Sequence, residues 1–371
     1  MRNCMKYTTS VKRLAAFFIT AALFTVMAGC ESQPAGAETE PSPTQSAVVS
    51  SVVTPAPETP APKLGLEAVF GKAEIKVAVI SNSDEADSKL FFEGAQDEAA
   101  ELGVKLELTA AKGALDSAVS NAAGSADAVI ACLMSGAEGY GAISSAGIPA
   151  CVFEMSKGSA PEGVSYIYYS PGNEAELAMD AALTYPPHDT PVRLILMFES
   201  KDSKSYKEYQ KLKNEGKIFA KEVYAGSDEK PGAWLKSKLG RYVEGMLDAV
   251  YAENVSLAIT ALDTLEALKR DDMEVFCPGF TYETAARMAK NPSVFAQSVG
   301  ANTYLAGRLS VRAALKALKG EGTVTLGLEP VLINAAELKD GNAALLDIGG
   351  NGGLYNEPWM EELRAHYATQ Q

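Results

Sequence analysis

Side chains that commonly carry out catalysis are sparse in this sequence. Its 371 residues include two histidines, His188 and His366, and neither stands at a spacing typical of metal ligands. The sequence has no nucleophile elbow, phosphate-binding loop or paired-cysteine motif. We therefore expect no enzyme, no metal site and no cofactor; a pair of carboxylates meeting in a cleft is the open alternative.

Three cysteines beyond the N-terminal region, Cys132, Cys151 and Cys277, each lie inside an apolar run. An odd number of such thiols does not make a disulfide framework, so we interpret them as small core residues. A bridge between Cys132 and Cys151 is the alternative.

A second set of residues follows the predicted strands and suits ligand binding. Acids and amides hydrogen-bond ligand hydroxyls or amines, and a phenylalanine ring supplies a flat apolar wall. In open parallel sheets, ligands bind beyond the carboxyl ends of the strands. The candidate ligand-binding residues are Asn82, Asp84, Glu154, Asp263, Phe280 and Asn302. For each of them, a helix cap or a solvated loop is an equally good interpretation.

Alternating strands and helices must position these residues. The apolar run Ile75–Ser81 predicts a buried strand, and Asp87–Gly103 predicts a helix that ends at its glycine. The pattern restarts at Pro191–Ser200, and we predict a helix at Ala233–Ala252 and a strand at Val255–Thr260, just before Asp263. The predicted fold class is α/β, with two doubly wound parallel-sheet lobes.

The chain is expected to return to the first lobe late in the sequence. Residues 302–334 predict a long amphipathic helix, stopped by Gly320, and then two strands. If this helix packs on the first lobe, several crossings join the lobes and act as a hinge. We expect these crossings near residues 169–172, 300–302 and 329–331.

The N-terminus has the features of a secretory signal. Arg2, Lys6, Lys12 and Arg13 precede an apolar run of about 15 residues, which is shorter than the about 20 residues of a membrane-spanning helix. The run ends in "VMAGC", which resembles the lipobox of bacterial lipoproteins. The resemblance implies that Cys30 is lipidated and becomes the new N-terminus; an ordinary signal peptide with a chance cysteine is the alternative.

The segment after Cys30 is rich in Pro, Ser, Thr, Ala and Glu, and residues 31–63 contain no aromatic side chain. Such a composition does not bury enough apolar surface to offset chain entropy, so we expect an extended, disordered linker. At about 3.1 Å per residue it reaches roughly 100 Å. We expect the extracytoplasmic face of a cell membrane, with a Gram-positive surface favoured over a periplasm.

Four parts of the chain therefore have different expected structures. They are a lipoprotein signal peptide at residues 1–29, a lipid-anchored disordered linker at 30–71, an N-terminal lobe of 72–170 plus 302–330, and a C-terminal lobe of 171–301 plus 331–371.

The charge of the chain argues against one class of partner. The net charge is −14 at pH 7, and nucleic acid needs a basic surface to neutralise its phosphates. The lysine-rich stretch 201–217 is interrupted by acids at helical spacing, so we favour a solvated helix face over a binding patch.

Four segments, in the expected order, resemble the type I periplasmic sugar-binding proteins, the ribose- and galactose-binding family. "FFEGAQDEAAELGVKLEL" looks like the first helix and second strand of that family, and "AGIPACVFE" like the strand after its third helix. "GRLSVRAALKALKGEG" resembles its late helix, and "EPVLINAAEL" its closing strand.

The resemblance implies a lipid-anchored solute-binding protein that captures a small polar ligand, most simply a sugar, for an ABC permease. It implies a monomer that contacts the membrane through its anchor and does not bind nucleic acid. A receptor of the same fold that reports to a sensor kinase or chemoreceptor is the alternative, followed by a surface enzyme.

The family's polar contacts are only partly present. Glu154 and Met155 stand where the family often has aspartate and arginine, and Thr281 replaces the aspartate of its Gly-Phe-Asp triplet. Asp263 stands near the place of its Asn-Asp pair. The set of side chains that reads a sugar is therefore thinned.

We predict that Cys30→Ser releases the protein from the membrane. A lipid chain contributes about 0.8 kcal/mol per buried methylene, and the tether has no apolar face that replaces it. Fractionation of cells into membrane and soluble pools measures the effect. Continued sedimentation of the variant with the membranes would contradict the lipid anchor.

Overall fold

The computed structural model describes residues 65–134, 139–159, 161–184, 192–338 and 357–370. The predicted signal peptide, Cys30, most of the predicted linker and His188 lie outside the described residues. Among the described helices, none combines the length and the apolar character needed to cross a bilayer.

The first half of the chain builds a parallel sheet covered by helices on both faces. Its elements are α1 (Leu66–Phe70), β1 (Lys76–Ser81), α2 (Glu85–Leu102), β2 (Lys105–Ala110), α3 (Leu115–Ala123), β3 (Ala128–Leu133), α4 (Tyr140–Ser145), β4 (Ala150–Glu154) and β5 (Ser165–Tyr169). The strand order is β2-β1-β3-β4-β5, and every pair is parallel. Strand β3 is buried along its whole length, as a central strand between two helical layers must be.

The second half repeats this arrangement. Its elements are α5 (Glu174–Thr184), β6 (Leu194–Phe198), α6 (Lys204–Asn214), β7 (Ala220–Ala225), α7 (Pro231–Leu239), β8 (Ala249–Ala252), α8 (Val255–Leu268), β9 (Glu274–Phe276), α9 (Tyr282–Lys290) and β10 (Gln297–Gly300). The parallel order is β7-β6-β8-β9, and a parallel bridge between Pro278 and Val299 links β9 to β10. The α/β class and the two sheet units are confirmed.

The last elements return to both sheets. They are α10 (Thr303–Leu318), β11 (Thr325–Leu328), β12 (Val331–Asn334) and α11 (Pro358–Tyr367). Strand β11 extends the first sheet beside β5 in parallel, whereas β12 pairs with β10 in antiparallel. The chain therefore passes between the sheets more than once.

Two local predictions are wrong. Val255–Thr260 is not a strand but the first part of α8, because the Asn254 Oδ1 atom accepts the Leu257 N–H at 2.9 Å and starts a helix there. The predicted helix at Ala233–Ala252 ends at Leu239, and its last four residues form β8. Short apolar runs fit a buried helix or a buried strand equally well, which explains both errors.

Helix α10 packs against α2 with almost no space between the two backbones. A Cβ atom built on Gly94 would lie 1.9 Å from the Tyr304 carbonyl oxygen, and one built on Gly307 would lie 2.1 Å from the Phe91 carbonyl oxygen. Real Cβ atoms do not approach this closely. Glycine on both helices is therefore a steric requirement of this contact.

A buried charge cluster fixes the same contact. Glu98 on α2 is 0% exposed, and its carboxylate binds Arg308 at 2.7 Å, Arg312 at 2.8 Å and Arg364 of α11. Burial alone would raise the Glu98 pKa, but the three guanidinium groups outweigh it and hold the pKa below its usual value. Removing one partner would leave uncompensated buried charge.

The N-terminal helix α1 and the C-terminal helix α11 both belong to the first sheet's core. Leu66 and Trp359 are buried in the cluster that contains Phe91, and the Phe70 and Trp359 rings pack edge to face at 5.6 Å. This corrects two predicted boundaries. Residues 65–71, expected in the linker, are folded and include α1, and α11, in the segment 331–371 expected in the C-terminal lobe, packs on the first sheet.

One crossing between the sheets has a half-buried carboxylate beside it. Glu174, in the first turn of α5, accepts the Gly279 N–H at 2.5 Å and lies beside the buried Tyr169 hydroxyl at the end of β5. Burial raises the Glu174 pKa, and the Tyr169 and Gly279 contacts only partly oppose this effect. Glu174 therefore joins three segments next to the crossing at 169–172.

We predict that Gly307→Ala destabilises the protein, whereas Gly141→Ala does not. At Gly307 the added methyl group overlaps the Phe91 carbonyl, and overpacking costs typically about 1–3 kcal/mol or more. Gly141, in α4, has nothing within 4 Å of a new Cβ, so alanine there should stabilise by up to about 1 kcal/mol. Urea unfolding of both variants measures the difference; equal stabilities would refute the steric contact.

We also predict that Glu174→Gln changes how stability depends on pH. The folded protein holds the Glu174 proton more tightly than the unfolded chain, because its pKa is raised above the ordinary value of 4.5. As the pH rises from 4.5 through the raised pKa, Glu174 therefore lowers the free energy of unfolding. Glutamine does not titrate. Relative to wild type, the variant should therefore become more stable as the pH rises through this range. Urea unfolding at several pH values measures the difference.

Glu176→Gln, on the exposed side of the same helix, is the matched control. A constant stability difference between Glu174→Gln and wild type at all pH values would contradict the raised pKa of Glu174.

Candidate functional site

The carboxyl ends of the two sheets meet. Helix α2 follows the carboxyl end of β1, and α9 follows that of β9. The Lys89 Nζ atom lies 3.8 Å from the centroid of the Tyr282 ring, and this contact raises the Lys89 pKa. Leu90 on α2 is 2% exposed and packs in the core cluster of the second sheet. The region where these edges meet, called the cleft below, is the candidate ligand site.

Asn82 ties two strands of the first sheet together. Its Oδ1 atom accepts the Met134 N–H at 2.9 Å, and its own N–H donates to the Cys132 carbonyl at 3.1 Å. The side chain thus holds the ends of β1 and β3 in register. Asp84 lies just before α2, half exposed, with the Lys112 ammonium 3.7 Å from its carboxylate.

Glu154 is enclosed on the side of the first sheet that α3 and α4 cover. Its carboxylate accepts the Tyr166 hydroxyl, which in turn accepts the Gly158 N–H at 2.7 Å. Burial, then the Glu154 carboxylate, raises the pKa of Tyr166 to about 12. The Tyr140 hydroxyl lies beside the same carboxylate, and its pKa is raised by burial and by Glu154. Glu154 is therefore engaged by tyrosines inside the first lobe.

Asp263 does not follow a strand, so the reason for choosing it was wrong. It lies inside α8 with an exposed side chain, and its carboxylate pairs with Arg287 of α9 at 2.6 Å. The residues that do follow β8 are Glu253 and Asn254. The run "DAVYAEN" carried the signal that we missed, since its apolar residues end where the acid and amide begin.

Phe280 lies at the predicted edge but is buried more deeply than we expected. Its side chain is 5% exposed and belongs to the same core cluster as Leu90. Gly300 lies directly against it, because a Cβ atom on that glycine would be 2.4 Å from the Phe280 nitrogen. Phe280 is therefore part of a core as well as a candidate ligand-binding residue, and its truncation would also cost stability.

Asn302 follows β10, where the chain crosses between the sheets, and one of its side-chain donors has no hydrogen-bond partner. Its Oδ1 atom accepts the Leu305 N–H at 2.8 Å and begins α10. Its Nδ2 atom is buried and has no hydrogen-bond partner. A buried amide donor without a partner is costly, and a ligand acceptor would satisfy it.

The possible metal ligands among the described residues are dispersed, and the described thiols are buried. Within residues that the structure describes, no three His, Cys, Asp or Glu side chains group closely enough to hold a metal ion. Cys132 and Cys151 are free and buried, so the alternative of a disulfide between them is wrong. Burial raises the pKa of Cys151 to about 12, which keeps its thiol protonated and unreactive.

Comparison with solved structures agrees with the fold described above. A sugar ABC transporter protein from Yersinia enterocolitica subsp. enterocolitica 8081 is 19% identical, covers 80% of this chain and 96% of its own, and has a TM-score of 0.50. A 5-methylthioribose transporter solute-binding protein from Thermotoga lettingae TMO is 20% identical, with coverages of 79% and 97% and a TM-score of 0.50. No protein-family model and no curated protein matches the sequence. The chain has the two-lobed fold of the type I periplasmic binding proteins.

Proposed function

We propose that this protein is a lipid-anchored, extracytoplasmic solute-binding protein that captures a small, sugar-like ligand for an ABC importer. The observation that carries the proposal is the meeting of two parallel-sheet carboxyl edges beside several chain crossings. The two solved structures above with the same fold are named for sugar and 5-methylthioribose transport, which supports a sugar-like ligand.

Ligand capture would work by closure of two lobes around the cleft. We assign residues 72–170 and 302–330, with α1 and α11, to the first lobe, and 171–301 with β12 to the second. Crossings near 169–172, 300–302 and 329–331 form the hinge. Only a ligand that contacts both lobes favours the closed form, since equal affinity for both forms shifts nothing.

The contact between Leu90 and the second lobe supports closure at these edges. Leu90 packs in the second lobe's core cluster, and Lys89 lies over the Tyr282 ring. A ligand that enters between the edges would exchange part of this apolar contact for its own. Asn302 lies at a crossing and would donate its Nδ2 hydrogen to a ligand acceptor.

A ligand-sensing receptor for a sensor kinase or chemoreceptor would use the same cleft and differ only in its partner. Uptake of labelled ligand by cells with and without the protein separates the two functions. Loss of uptake supports the importer, whereas unchanged uptake with lost transcriptional or motile response supports the receptor.

The experiment that tests ligand capture is a thermal-shift screen of sugars, nucleosides, amino acids and polyamines on the Cys30→Ser protein. A ligand at 100 times its dissociation constant stabilises by about 2.7 kcal/mol, which shifts the melting temperature visibly. Small-angle scattering of the saturated protein should then show compaction. If no compound raises the melting temperature, the proposed function is refuted.

We predict that Asn302→Asp weakens binding of the compound found by the screen at least tenfold. Aspartate retains the oxygen that begins α10 but replaces the Nδ2 donor with an acceptor, so a ligand acceptor loses its partner. Isothermal titration calorimetry measures the affinity. Asn121→Asp, on the exposed side of α3, controls for added charge. Unchanged affinity in a folded Asn302→Asp protein would remove Asn302 from the site.

A further inference from the structure

Helix α6 and the first residues of β7 carry a concentration of positive charge in an acidic protein. Seven lysines and three acids stand between residues 201 and 221, whereas the whole chain has a net charge of −14. All seven lysines are exposed. We call them the lysine surface; its members are Lys201, Lys204, Lys207, Lys211, Lys213, Lys217 and Lys221.

The acids within this stretch engage only two of its lysines. The Lys211 Nζ atom lies 3.0 Å from the Glu208 carboxylate, and the Lys217 Nζ atom lies 2.5 Å from that of Glu215. The other five members of the lysine surface form no ion pair with any residue that the structure describes. The solvated helix face that the sequence favoured here therefore keeps most of its positive charge uncompensated.

The stability of α6 accounts for only part of the lysine surface. Positive charge is favourable near the C-terminus of a helix and unfavourable near its N-terminus, because of the helix dipole. Lys211 and Lys213, in the last turn, suit the dipole. Lys204, the first residue of the helix, and Lys207 do not, and the first turn contains no acid that would offset them.

An exposed aromatic side chain stands among these lysines. Phe219 is 68% exposed and lies between Lys217 and Lys221 in the chain, whereas its neighbour Ile218 is buried in the core that α6 covers. Segments that bind at a membrane surface combine lysines with phenylalanine, tryptophan or leucine side chains that enter the headgroup region. Phe219 therefore adds an apolar contact to a surface whose charge already favours anions.

The lysine surface lies at an outer edge of the second sheet. Strand β7, which follows α6, is the end strand of the order β7-β6-β8-β9. The bridge between Pro278 and Val299, which links β10 and the crossing after it to the sheet, lies at the opposite end. The lysine surface is therefore separate from the cleft's crossings, and a linker that reaches roughly 100 Å allows it to contact a bilayer.

We propose that the lysine surface docks the second lobe on an anionic lipid bilayer, with its ammonium groups on lipid phosphates and the Phe219 ring among the headgroups. This inference rests on the proposed function, because the lipid anchor brings the surface within reach of the bilayer. Docking holds the cleft near the membrane, where an importer lies, and not at the far end of the linker. Acids elsewhere in the chain oppose it little, since the Debye length is about 8 Å at physiological salt.

The experiment is co-sedimentation of the Cys30→Ser protein with two kinds of vesicle. One contains phosphatidylglycerol mixed with phosphatidylcholine, and the other is pure phosphatidylcholine, which reports any binding that does not depend on charge. We expect at least tenfold stronger binding to the anionic vesicles at about 0.1 M salt. Most of this difference should disappear at about 1 M salt, because the Debye length falls from about 10 Å to about 3 Å.

Two sets of substitutions test which residues carry the binding. Replacing three lysines of α6 and its N-terminal flank together should weaken binding to the anionic vesicles at least tenfold, since each lysine near the surface contributes. These substitutions are Lys201→Gln, Lys204→Gln and Lys207→Gln. Phe219→Ala should weaken binding several-fold at both salt concentrations, because its contribution is apolar.

The matched control removes the same charge from exposed lysines beside α7 and α8, which cover the opposite face of the second sheet. Its substitutions are Lys230→Gln, Lys236→Gln and Lys269→Gln. This control should change binding by less than about twofold, because its lysines lie away from the docked surface.

Equal binding to the two kinds of vesicle would overturn the docking, and so would equal binding of the α6 variant and its control. If soluble polyphosphate binds the protein and the anionic vesicles do not, the lysine surface binds a soluble polymer and the membrane is overturned. None of these results affects ligand capture, which the thermal-shift screen measures without vesicles. Fractionation in about 1 M salt screens the docking and tests the lipid anchor separately.

Discussion

The contact between α2 and α10 is the constraint on which the two-sheet arrangement depends. Helix α10 follows β10, which a parallel bridge links to the second sheet, yet it packs backbone to backbone on α2 of the first sheet through Gly94 and Gly307. Glu98 and its three arginines fix the sliding and rotation of this pair, because each buried charge needs its partners in place. The chain must therefore cross between the sheets before and after α10.

The same helix connects this contact to the cleft. Helix α10 contacts α2 from Phe91 to Glu98, and α2 presents Lys89 and Leu90 to the second sheet's elements. The position of the edge at Leu90 is therefore set by the packing of the same helix on the first sheet's core.

Much of the fold followed from the sequence because its signals are periodic. Buried parallel strands appear in the sequence as continuous apolar runs. In the helices between them, apolar residues recur every three to four positions. The helix at residues 303–318 was also predictable, from its apolar spacing and its glycine stop. Val255–Thr260 failed because a run of six apolar and small residues has no period of its own, and its structure is decided by the Asn254 cap.

The candidate site was harder to predict, because sequence reveals residue type but not partners. Asn82 and Glu154 were chosen for their chemistry, yet both are engaged by neighbours more than ten residues away. That the Asn302 Nδ2 atom has no partner depends on the groups around it in the fold, which the sequence does not reveal. Helices α1 and α11 were missed because their apolar residues are few and become meaningful only when Leu66 and Trp359 share one core.

The contact between α1 and α11, the first and last described helices, has a mechanical consequence. The Leu66 N–H donates to the Tyr367 hydroxyl at 3.4 Å, and α1 is seated against α11 on the first sheet's core. If the protein is anchored ahead of Gly65 and closes as proposed, tension from the anchor would load α1 and the first sheet and would not pass through the proposed hinge. The first lobe would then stay fixed to the anchor, and the second lobe would move relative to it.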